Sequence, residues 1–252
     1  MQAVSTPLLT ITDLGKIFSG GVAALENVNL HMARGEFVSL LGPSGCGKST
    51  LLRIAAGLIA PTSGRMEWAA PPVKGGIGVV FQEPTLMPWA NVRKNAETPL
   101  RIAGVAASER HARAMEMLEL VGLENFAEAY PRTLSGGMKM RVAIARALIT
   151  RPPVLLLDEP FAALDEITRQ QLNDDLLDIC HKAQLSVLFV THSAAEAVYL
   201  SNRVLMMGAR PGTILRELHI NAPAHRAEAF RHSPQFAAYC GEISNALREA
   251  IS

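Results

Sequence analysis

The feature that most constrains this chain is a glycine-rich segment at residues 42–49, GPSGCGKS, which completes the pattern GxxxxGK[ST]. An apolar segment typical of a strand precedes it, and an apolar segment with helical spacing follows it. Glycines let backbone N–H groups turn inward around phosphate oxygens, and the helix that follows presents its positive end to the same anion. An incidental lysine in a glycine-rich turn is the alternative, but the strand–turn–helix context favours a phosphate site.

In such a loop each residue type has a chemical use. Lys48 would reach the β- and γ-phosphates, and the Ser49 hydroxyl would be offered to Mg²⁺. The residues predicted to bind ATP in this segment are Gly42, Pro43, Ser44, Gly45, Cys46, Gly47, Lys48, Ser49 and Thr50. Cys46 at a helix N-terminus is predicted to favour its thiolate and to react when accessible, unless its side chain points into the core.

Short apolar runs separated by helical stretches continue through the chain. Residues 8–41 contain LLTITDL, ALENVNLHM and EFVSLL, which predict antiparallel strands that lead into a buried one. Further strands are predicted at 77–82, 154–160, 186–192 and 203–207, with an edge hairpin in TILREL and helices from about 92 to 149. On the predicted helix before Gly122, Met115, Leu118 and Val121 share one face. This βαβ rhythm indicates an α/β fold with a largely parallel, covered sheet.

Composition excludes several classes of protein. The 252 residues are 49% apolar and 19% charged with a net charge of +1, which argues against disorder and gives no basic excess for nucleic acid. The apolar runs are far shorter than a membrane span, and MQAVSTPLLT lacks the layout of a signal peptide. Three cysteines form no paired framework. We therefore expect a cytosolic protein.

A second chemical element is VLLLDEP at 154–160. An apolar strand would deliver Asp158 to a Mg²⁺ site at its carboxyl end, where open α/β sheets bind ligands. Glu159 follows and is predicted to act as the general base on the attacking water. Many core strands end in an acidic residue, so this run gains its meaning from the phosphate loop that precedes it.

Residues 134–138, LSGGM, followed by Arg141 and AIARAL, resemble the signature motif of ATP-binding-cassette (ABC) ATPases. Ser135 and the N–H groups of Gly136 and Gly137 would begin a helix and form a second anion-binding helix end. Alone, the pattern is equally that of an ordinary Ser-capped helix. In this sequence Met138 replaces the commonest glutamine, Met140 interrupts the usual polar run, and Ser193 replaces an acidic residue.

Four single residues fit the same family pattern. Gln82 is similar to the Q-loop residue that touches Mg²⁺ and the attacking water, and His192 to the histidine that contacts the γ-phosphate. Asp165 in ALD is similar to the D-loop residue at the dimer interface, and Phe18 to the aromatic residue that stacks on adenine. Alone, Gln82 would be interpreted as a surface residue, His192 as a structural residue and Phe18 as a core residue.

The resemblance covers about residues 8–220 and implies a P-loop NTPase fold, with a RecA-like core, an antiparallel β-subdomain and a helical insertion near 88–150. It implies an ATPase domain at 1–220 and a short C-terminal appendage at 221–252. It also implies a head-to-tail homodimer, in which each ATP lies between the phosphate loop of one copy and Ser135–Gly137 of the other. Expected cofactors are ATP and Mg²⁺.

The segment Gln82–Trp89, QEPTLMPW, resembles the nitrate/sulfonate/taurine importer group within this family, as do Arg210-Pro211-Gly212 and FAALDEITR. This implies membrane-spanning permease partners that dock on Leu86–Trp89, an indirect solute-binding protein, and a peripheral location on the cytoplasmic face of the inner membrane. Sulfonates, taurine, nitrate and thiamine-precursor pyrimidines are the implied solutes. A freestanding exporter ATPase and a soluble non-transport ATPase remain alternatives.

Overall fold

The structure is a computed structural model that describes residues 7–70, 75–223, 226 and 228–249. The chain divides into two compact units, residues 1–71 with 186–252, and residues 72–185. Residues 1–6, which begin both the segment predicted to lack a signal peptide and the predicted domain at 1–220, lie outside the described residues. Residues 250–252, which end the predicted appendage at 221–252, also lie outside them. Across the described ranges, no helix is both long and apolar enough to cross a membrane.

The strands of the described residues are β1 (Leu9–Ile17), β2 (Ala23–Met32), β3 (Phe37–Leu41), β4 (Ser63–Trp68), β5 (Ile77–Val80), β6 (Val154–Asp158), β7 (Ser186–Thr191), β8 (Arg203–Met207) and β9 (Ile214–His219). The helices there are α1 (Lys48–Ala55), α2 (Val92–Ala96), α3 (Thr98–Ile102), α4 (Ala107–Leu120), α5 (Gly136–Leu148), α6 (Glu166–Ala183), α7 (Ala194–Leu200), α8 (Glu228–Arg231) and α9 (Pro234–Glu249). Two short 3₁₀ helices cover Glu124–Phe126 and Pro131–Thr133.

The first unit contains an antiparallel sheet in the order β2-β1-β4. Leu9 lies opposite Met32 on one side and Trp68 on the other. The predicted antiparallel strands of residues 8–41 are thereby confirmed for β1 and β2. Register shifts in the second half of β1 accompany the left-handed Asp13, which is typical of a β-bulge.

A second group of strands in this unit has the order β7-β3-β8-β9. The first three are parallel and every residue in them is buried, which explains their continuous apolar sequences. Strand β9 pairs antiparallel with β8 and is mostly exposed, so the predicted edge hairpin is confirmed. Because Leu41 pairs with Thr191, the residues that follow β3 and β7 leave the same edge of neighbouring strands.

The C-terminal stretch is fastened to α7. Arg226 is buried, and its guanidinium donates to the carbonyls of Val198, Tyr199 and Ser201 at the end of that helix. The Tyr199 hydroxyl donates back to the Arg226 carbonyl at 2.7 Å, and the Arg231 guanidinium lies 3.5 Å from the Tyr199 ring centroid. Burial lowers the pKa of Arg226 to about 10, so the group stays charged at neutral pH. A cation at the negative end of a helix is a stabilising arrangement.

The second unit combines the parallel pair β5–β6 with α2–α6. Strand β5 ends at Val80, so the predicted strand at 77–82 is too long, and Gln82 lies in a bend beyond it. In α4 the buried side chains are Ala114, Met117 and Leu118, whereas Met115 is half-buried; the predicted face is therefore rotated toward Met117. Gly122 has φ +68° just after this helix, as expected for a helix stop.

Candidate functional site

The phosphate loop begins directly after β3, and two of its glycines are required by the backbone. Gly45 has φ +76°, and Gly47 has φ +105° at the N-cap of α1. A Cβ at 47 would lie 2.7 Å from the Ala24 carbonyl oxygen, and a Cβ at 42 would lie 2.7 Å from the Met207 carbonyl oxygen. The loop therefore passes too close to neighbouring backbone for any side chain at these positions.

Lys48 is the first residue of α1 and is 4% exposed. Its Nζ donates to the carbonyl oxygens of Gly42 at 2.8 Å and Pro43 at 2.9 Å, which places the ammonium inside the curve of the loop. Ser49 and Thr50 follow in the first turn and are half-buried. A cation enclosed by a glycine-rich loop at a helix start is suited to a polyphosphate.

Cys46 is 1% exposed, in contrast to its exposed neighbours Ser44 and Gly45. A Cβ at Gly42 would lie 2.9 Å from the Cys46 Sγ, which shows that the thiol packs under the loop. The prediction of a reactive Cys46 is therefore wrong, and the alternative of a side chain pointing into the core describes the structure. Cys46 contributes packing to the loop and no accessible thiol.

His192 follows the end of β7 and is exposed. The parallel pairing of β3 with β7 brings it to the same strand edge as Gly42. Ser193 caps α7 by accepting a hydrogen bond from the Glu196 N–H at 3.3 Å, and its own N–H donates to the Thr191 hydroxyl at 3.0 Å. The serine that replaces the family's acidic residue thus serves as an N-cap, and a serine does this as well as an aspartate.

Phe18 lies at the turn between β1 and β2, where its N–H donates to the Val22 carbonyl at 2.9 Å. The ring is 41% exposed, so the interpretation of Phe18 as a core residue is wrong. The Lys16 Nζ lies 5.4 Å from the ring centroid, within the range of a cation–π contact. An exposed ring beside a cation is available for stacking on a planar base.

Strands β5 and β6 of the second unit are parallel, with Val80 opposite Leu157. Their carboxyl ends therefore bring Gln82 and Asp158 to one edge. Asp158 is the last residue of β6 and is buried. Glu159 has φ +45°, an uncommon conformation for a residue with a side chain. Strained backbone of this kind clusters at functional sites, where the surrounding structure enforces it.

The segment predicted to be the signature motif does begin a helix. Ser135 is the N-cap of α5, and its hydroxyl accepts from the Met138 N–H at 3.2 Å. Ser135 and Gly136 are exposed, whereas Gly137 is buried with no room for a side chain, since a Cβ there would lie 2.7 Å from the Thr168 Cγ2. Met140 is buried in α5, which explains the apolar residue in the usual polar run.

Asp165 caps α6. Its carboxylate accepts hydrogen bonds from the Thr168 N–H at 3.0 Å and the Thr168 hydroxyl at 2.8 Å. These two bonds hold the pKa of Asp165 below its usual range. Contacts of Thr168 with Gly137, and of Leu164 with Gly136, bring the predicted D-loop and signature motif together within this unit.

Two residues that the sequence did not single out fasten the loop after Gln82. Arg146, on α5, donates to the carbonyls of Thr85 at 2.9 Å and Pro84 at 2.8 Å. Asn95, fully buried on α2, exchanges two hydrogen bonds with the Met87 backbone, at 2.7 and 3.1 Å. A lone charge within the apolar run AIARAL was the available signal for Arg146.

Between these two anchors the loop presents Trp89 with 77% of its surface exposed. Leu86 and Met87 are half-buried and Pro88 is exposed. The first half of this segment is therefore partly covered by the protein and Trp89 is exposed, while its role in docking stays a prediction.

The donors predicted to hold Mg²⁺ are the Ser49 hydroxyl, the Gln82 amide and the Asp158 carboxylate. All three offer the hard oxygen atoms that Mg²⁺ prefers. Mg²⁺ is usually held by one or two carboxylates together with substrate phosphates and water, so a single aspartate is sufficient. The residue chemistry fits this ion.

The chain is similar to proteins that are already known. The sequence model of the family described as ABC transporter matches residues 25–162. The chain is 48% identical to the nitrate import ATP-binding protein NrtD of Synechocystis sp., over 95% of each chain. It is 46% identical to the aliphatic sulfonates import ATP-binding protein SsuB 2 of Pseudomonas syringae pv. tomato, over 93% of this chain and 96% of that one.

Among solved structures, the chain is similar to a dimeric post-hydrolysis state of an ATP-binding cassette bound to ADP and Pi. That similarity has a TM-score of 0.75 and 34% identity, over 85% of this chain and 100% of the other. The predictions of the family and of the P-loop NTPase fold class are confirmed.

Proposed function

Because the chain belongs to the ABC transporter family, with the phosphate loop and helix geometry described above, we propose that it is the ATP-hydrolysing subunit of an importer and that the predicted site residues carry its chemistry. The protein binds and hydrolyses ATP. The observation that carries the assignment of residues is the loop at 42–49, where Gly42 and Gly47 lie too close to neighbouring backbone for a side chain and where Lys48 lies inside the curve.

In this proposal the loop and the start of α1 hold the triphosphate. Backbone N–H groups from Gly45 to Thr50 point at phosphate oxygens, and the positive end of α1 stabilises the same charge. The Lys48 ammonium exchanges the carbonyls of Gly42 and Pro43 for the β- and γ-phosphates. Phe18 stacks on the adenine, because its ring is exposed and lies beside Lys16.

Hydrolysis needs a water oriented toward the γ-phosphorus and a group that takes its proton. Glu159 accepts that proton, with its backbone fixed in the left-handed conformation that follows β6. Gln82 orients the water, and His192 donates a hydrogen bond to a γ-phosphate oxygen. Ser49, Gln82 and Asp158 would hold Mg²⁺, which would neutralise the negative charge that develops on the phosphates.

The signature helix serves the second copy of the chain. The exposed N-terminus of α5 at Ser135 and Gly136 accepts the γ-phosphate of an ATP held by the partner, in a head-to-tail homodimer. Asp165 contributes to this interface while capping α6. A dimeric cassette is the form of the related solved structure.

The proposed partners are permease subunits of a membrane importer, with a solute-binding protein acting through them. Two of the similar proteins are named as import ATP-binding proteins, for nitrate and for aliphatic sulfonates. We propose solutes of this class, or taurine or a thiamine-precursor pyrimidine, and a peripheral location on the cytoplasmic face of the inner membrane. The exporter alternative has no comparable observation in its favour.

The assignment of the site is tested by Lys48→Ala, since that change removes the cation inside the loop and leaves the fold of α1 in place. Wild-type protein should gain about 2.7 kcal/mol of stability from Mg-ATP at 100 times its Kd. In a thermal melt, Lys48→Ala should lose most of that gain, and its hydrolysis should be abolished. A wild-type shift that persists in the variant would show that the nucleotide binds elsewhere.

A further inference from the structure

The turn between β8 and β9, residues 208–213, packs against the phosphate loop within the first unit. The Gly212 N–H donates to the Ala24 carbonyl, and the Gly212 carbonyl accepts from the Glu26 N–H, both at 3.0 Å. A Cβ at 212 would overlap the Cys46 carbonyl oxygen. The turn therefore meets the phosphate loop backbone to backbone, with glycine as the residue type that permits the approach.

One side chain of this turn contacts the loop directly. The Arg210 Nε donates to the Gly45 carbonyl oxygen at 2.7 Å. A Cβ at Gly45 would lie 2.9 Å from the Arg210 Nη2 and 3.5 Å from its Cζ, so the guanidinium lies over this glycine. A charged donor gives a stronger hydrogen bond than a neutral one. Arg210 thus places a cation on the outer side of the loop.

The hydrogen bond determines how one peptide unit of the loop is turned. The peptide between Gly45 and Cys46 is planar, so fixing its carbonyl also fixes its N–H on the opposite side. That N–H donates to the Pro43 carbonyl oxygen with an N···O distance of 3.4 Å, and the same oxygen accepts from the Lys48 ammonium. With Arg210 bound to the carbonyl side of this peptide, the Cys46 N–H lies on the side of the Lys48 ammonium, where a phosphate oxygen would replace the Pro43 carbonyl as its acceptor.

We propose that Arg210 is a positioning residue for ATP binding, which holds the Gly45–Cys46 peptide so that its N–H faces the phosphates and adds positive charge beside them. The inference rests on the proposed role of residues 42–49 as the phosphate site. Arg210 increases the affinity for the nucleotide, because a loop that is already ordered loses less conformational entropy on binding. It leaves the chemical step to other residues.

The test compares Arg210→Met, which keeps the length but removes donor and charge, with Arg210→Lys, which keeps the charge. The control is Arg216→Met on β9, which removes an equal charge from an exposed ion pair with Glu242. We expect Arg210→Met to raise the Kd and the KM for Mg-ATP about 3- to 10-fold, the usual net worth of one hydrogen bond. The kcat at saturating ATP should stay within about twofold, since the reacting groups are unchanged.

The Arg210→Lys variant should recover part of the lost affinity for Mg-ATP at low ionic strength. It should recover less at high ionic strength, because salt screens a surface charge. A Kd for Arg210→Met equal to that of Arg216→Met would overturn the inference, as would a melting temperature lowered by Arg210→Met without any change in Kd. Lys48→Ala is measured in parallel. If it binds Mg-ATP like the wild type, the proposed phosphate site itself fails; if it does not, a negative result for Arg210 concerns Arg210 alone.

Discussion

Gly137 shows how a single residue can serve both packing and binding. Its missing side chain lets α5 lie against α6, where Thr168 is held in place by its hydrogen bonds to Asp165. A glycine that the sequence predicts as part of the phosphate-binding helix start is therefore required by the contact between these helices. The helix contact thus leaves no room for a Cβ atom at position 137.

We predict that Gly137→Ala lowers the free energy of unfolding by about 1–3 kcal/mol, the usual cost of overpacking, measured by urea denaturation. Gly136→Ala is the control. The added Cβ would lie 3.2 Å from the Leu164 Cδ2, at the flexible end of that side chain, so the free energy of unfolding should change little. Thr168→Ser removes the obstructing Cγ2 and keeps the hydroxyl. If it does not recover stability in the Gly137→Ala background, the clash is misassigned.

A second prediction for single residues concerns the reactivity of Cys46. Because its side chain is buried, an ionic alkylating reagent should leave it unmodified in the folded protein, with or without ATP. Cys180 should also be inert, since burial raises the pKa of its thiol to about 12. Cys240 is half-exposed and should be labelled, and faster as pH rises, because the thiolate is the reactive form.

Peptide mass spectrometry of the labelled protein measures how much of each cysteine is alkylated. Cys240→Ser should remove the labelling altogether, which serves as the control. Fast labelling of Cys46 that ATP prevents would contradict the packing described for the loop.

At the scale of elements, the loop from Pro84 to Trp89 is held by two helices. Arg146 on α5 fastens its first half and Asn95 on α2 its second. Burial lowers the pKa of Arg146, yet carbonyl oxygens surround the guanidinium and compensate for its desolvation. This arrangement joins the signature helix to the segment after Gln82.

We predict that Arg146→Gln loosens this loop. Hydrogen exchange at the amides of Met87 and Ala90, both hydrogen-bonded in the structure, should become about 10-fold faster, because hydrogen bonds from a charged donor are lost. Arg151→Gln, which breaks only an exposed pair with Glu116, should leave these amides unchanged. Equal exchange in the two variants would mean that Arg146 does not hold the loop.

The elements differ in how far the sequence predicts them. Strands β3, β6, β7 and β8 were predictable because strands buried on both faces have continuous apolar sequences, and the phosphate loop because its pattern is local. Arg146 and Arg210 were not, because their partners lie 61 and 165 residues away in the chain. Periodicity also placed the end of β5 two residues late, since Phe81 continues the apolar run into a bend.

The C-terminal stretch illustrates the same limit. Polar composition predicted a C-terminal appendage, and it did not predict that Arg226 donates to the carbonyls at the end of α7. That helix begins at the residue after Ser193, which follows His192. Composition could not reveal this contact because a buried arginine and an exposed one look alike in sequence.

On the scale of the whole molecule, nucleotide binding and partner docking are proposed to use different residues. We predict that Trp89→Asp weakens the association with permease subunits, since it puts a charge into an apolar contact, and leaves Mg-ATP binding by the isolated chain unchanged. Leu58→Asp, at another exposed apolar residue, is the control. Co-purification of the complex from membranes measures the effect, and an undiminished yield for Trp89→Asp would place the docking surface elsewhere.

Two copies of this chain are proposed to enclose ATP, with Glu159 as the base that takes the proton of the attacking water. Glu159→Gln keeps the shape and removes the proton acceptor, so hydrolysis should fall by about 10²–10⁴-fold while binding survives. ATP should then persist between the phosphate loop and the partner's Ser135–Gly137. Adding Ser135→Arg should crowd the second phosphate site and separate the copies.

Gel filtration with light scattering measures the molar mass and so distinguishes the monomer from the dimer. The Glu159→Gln protein should run as a dimer in Mg-ATP and as a monomer in ADP, and the double variant with Ser135→Arg should be a monomer in both. A Glu159→Gln protein that stays monomeric when loaded with ATP, or that hydrolyses ATP at the wild-type rate, would contradict the account.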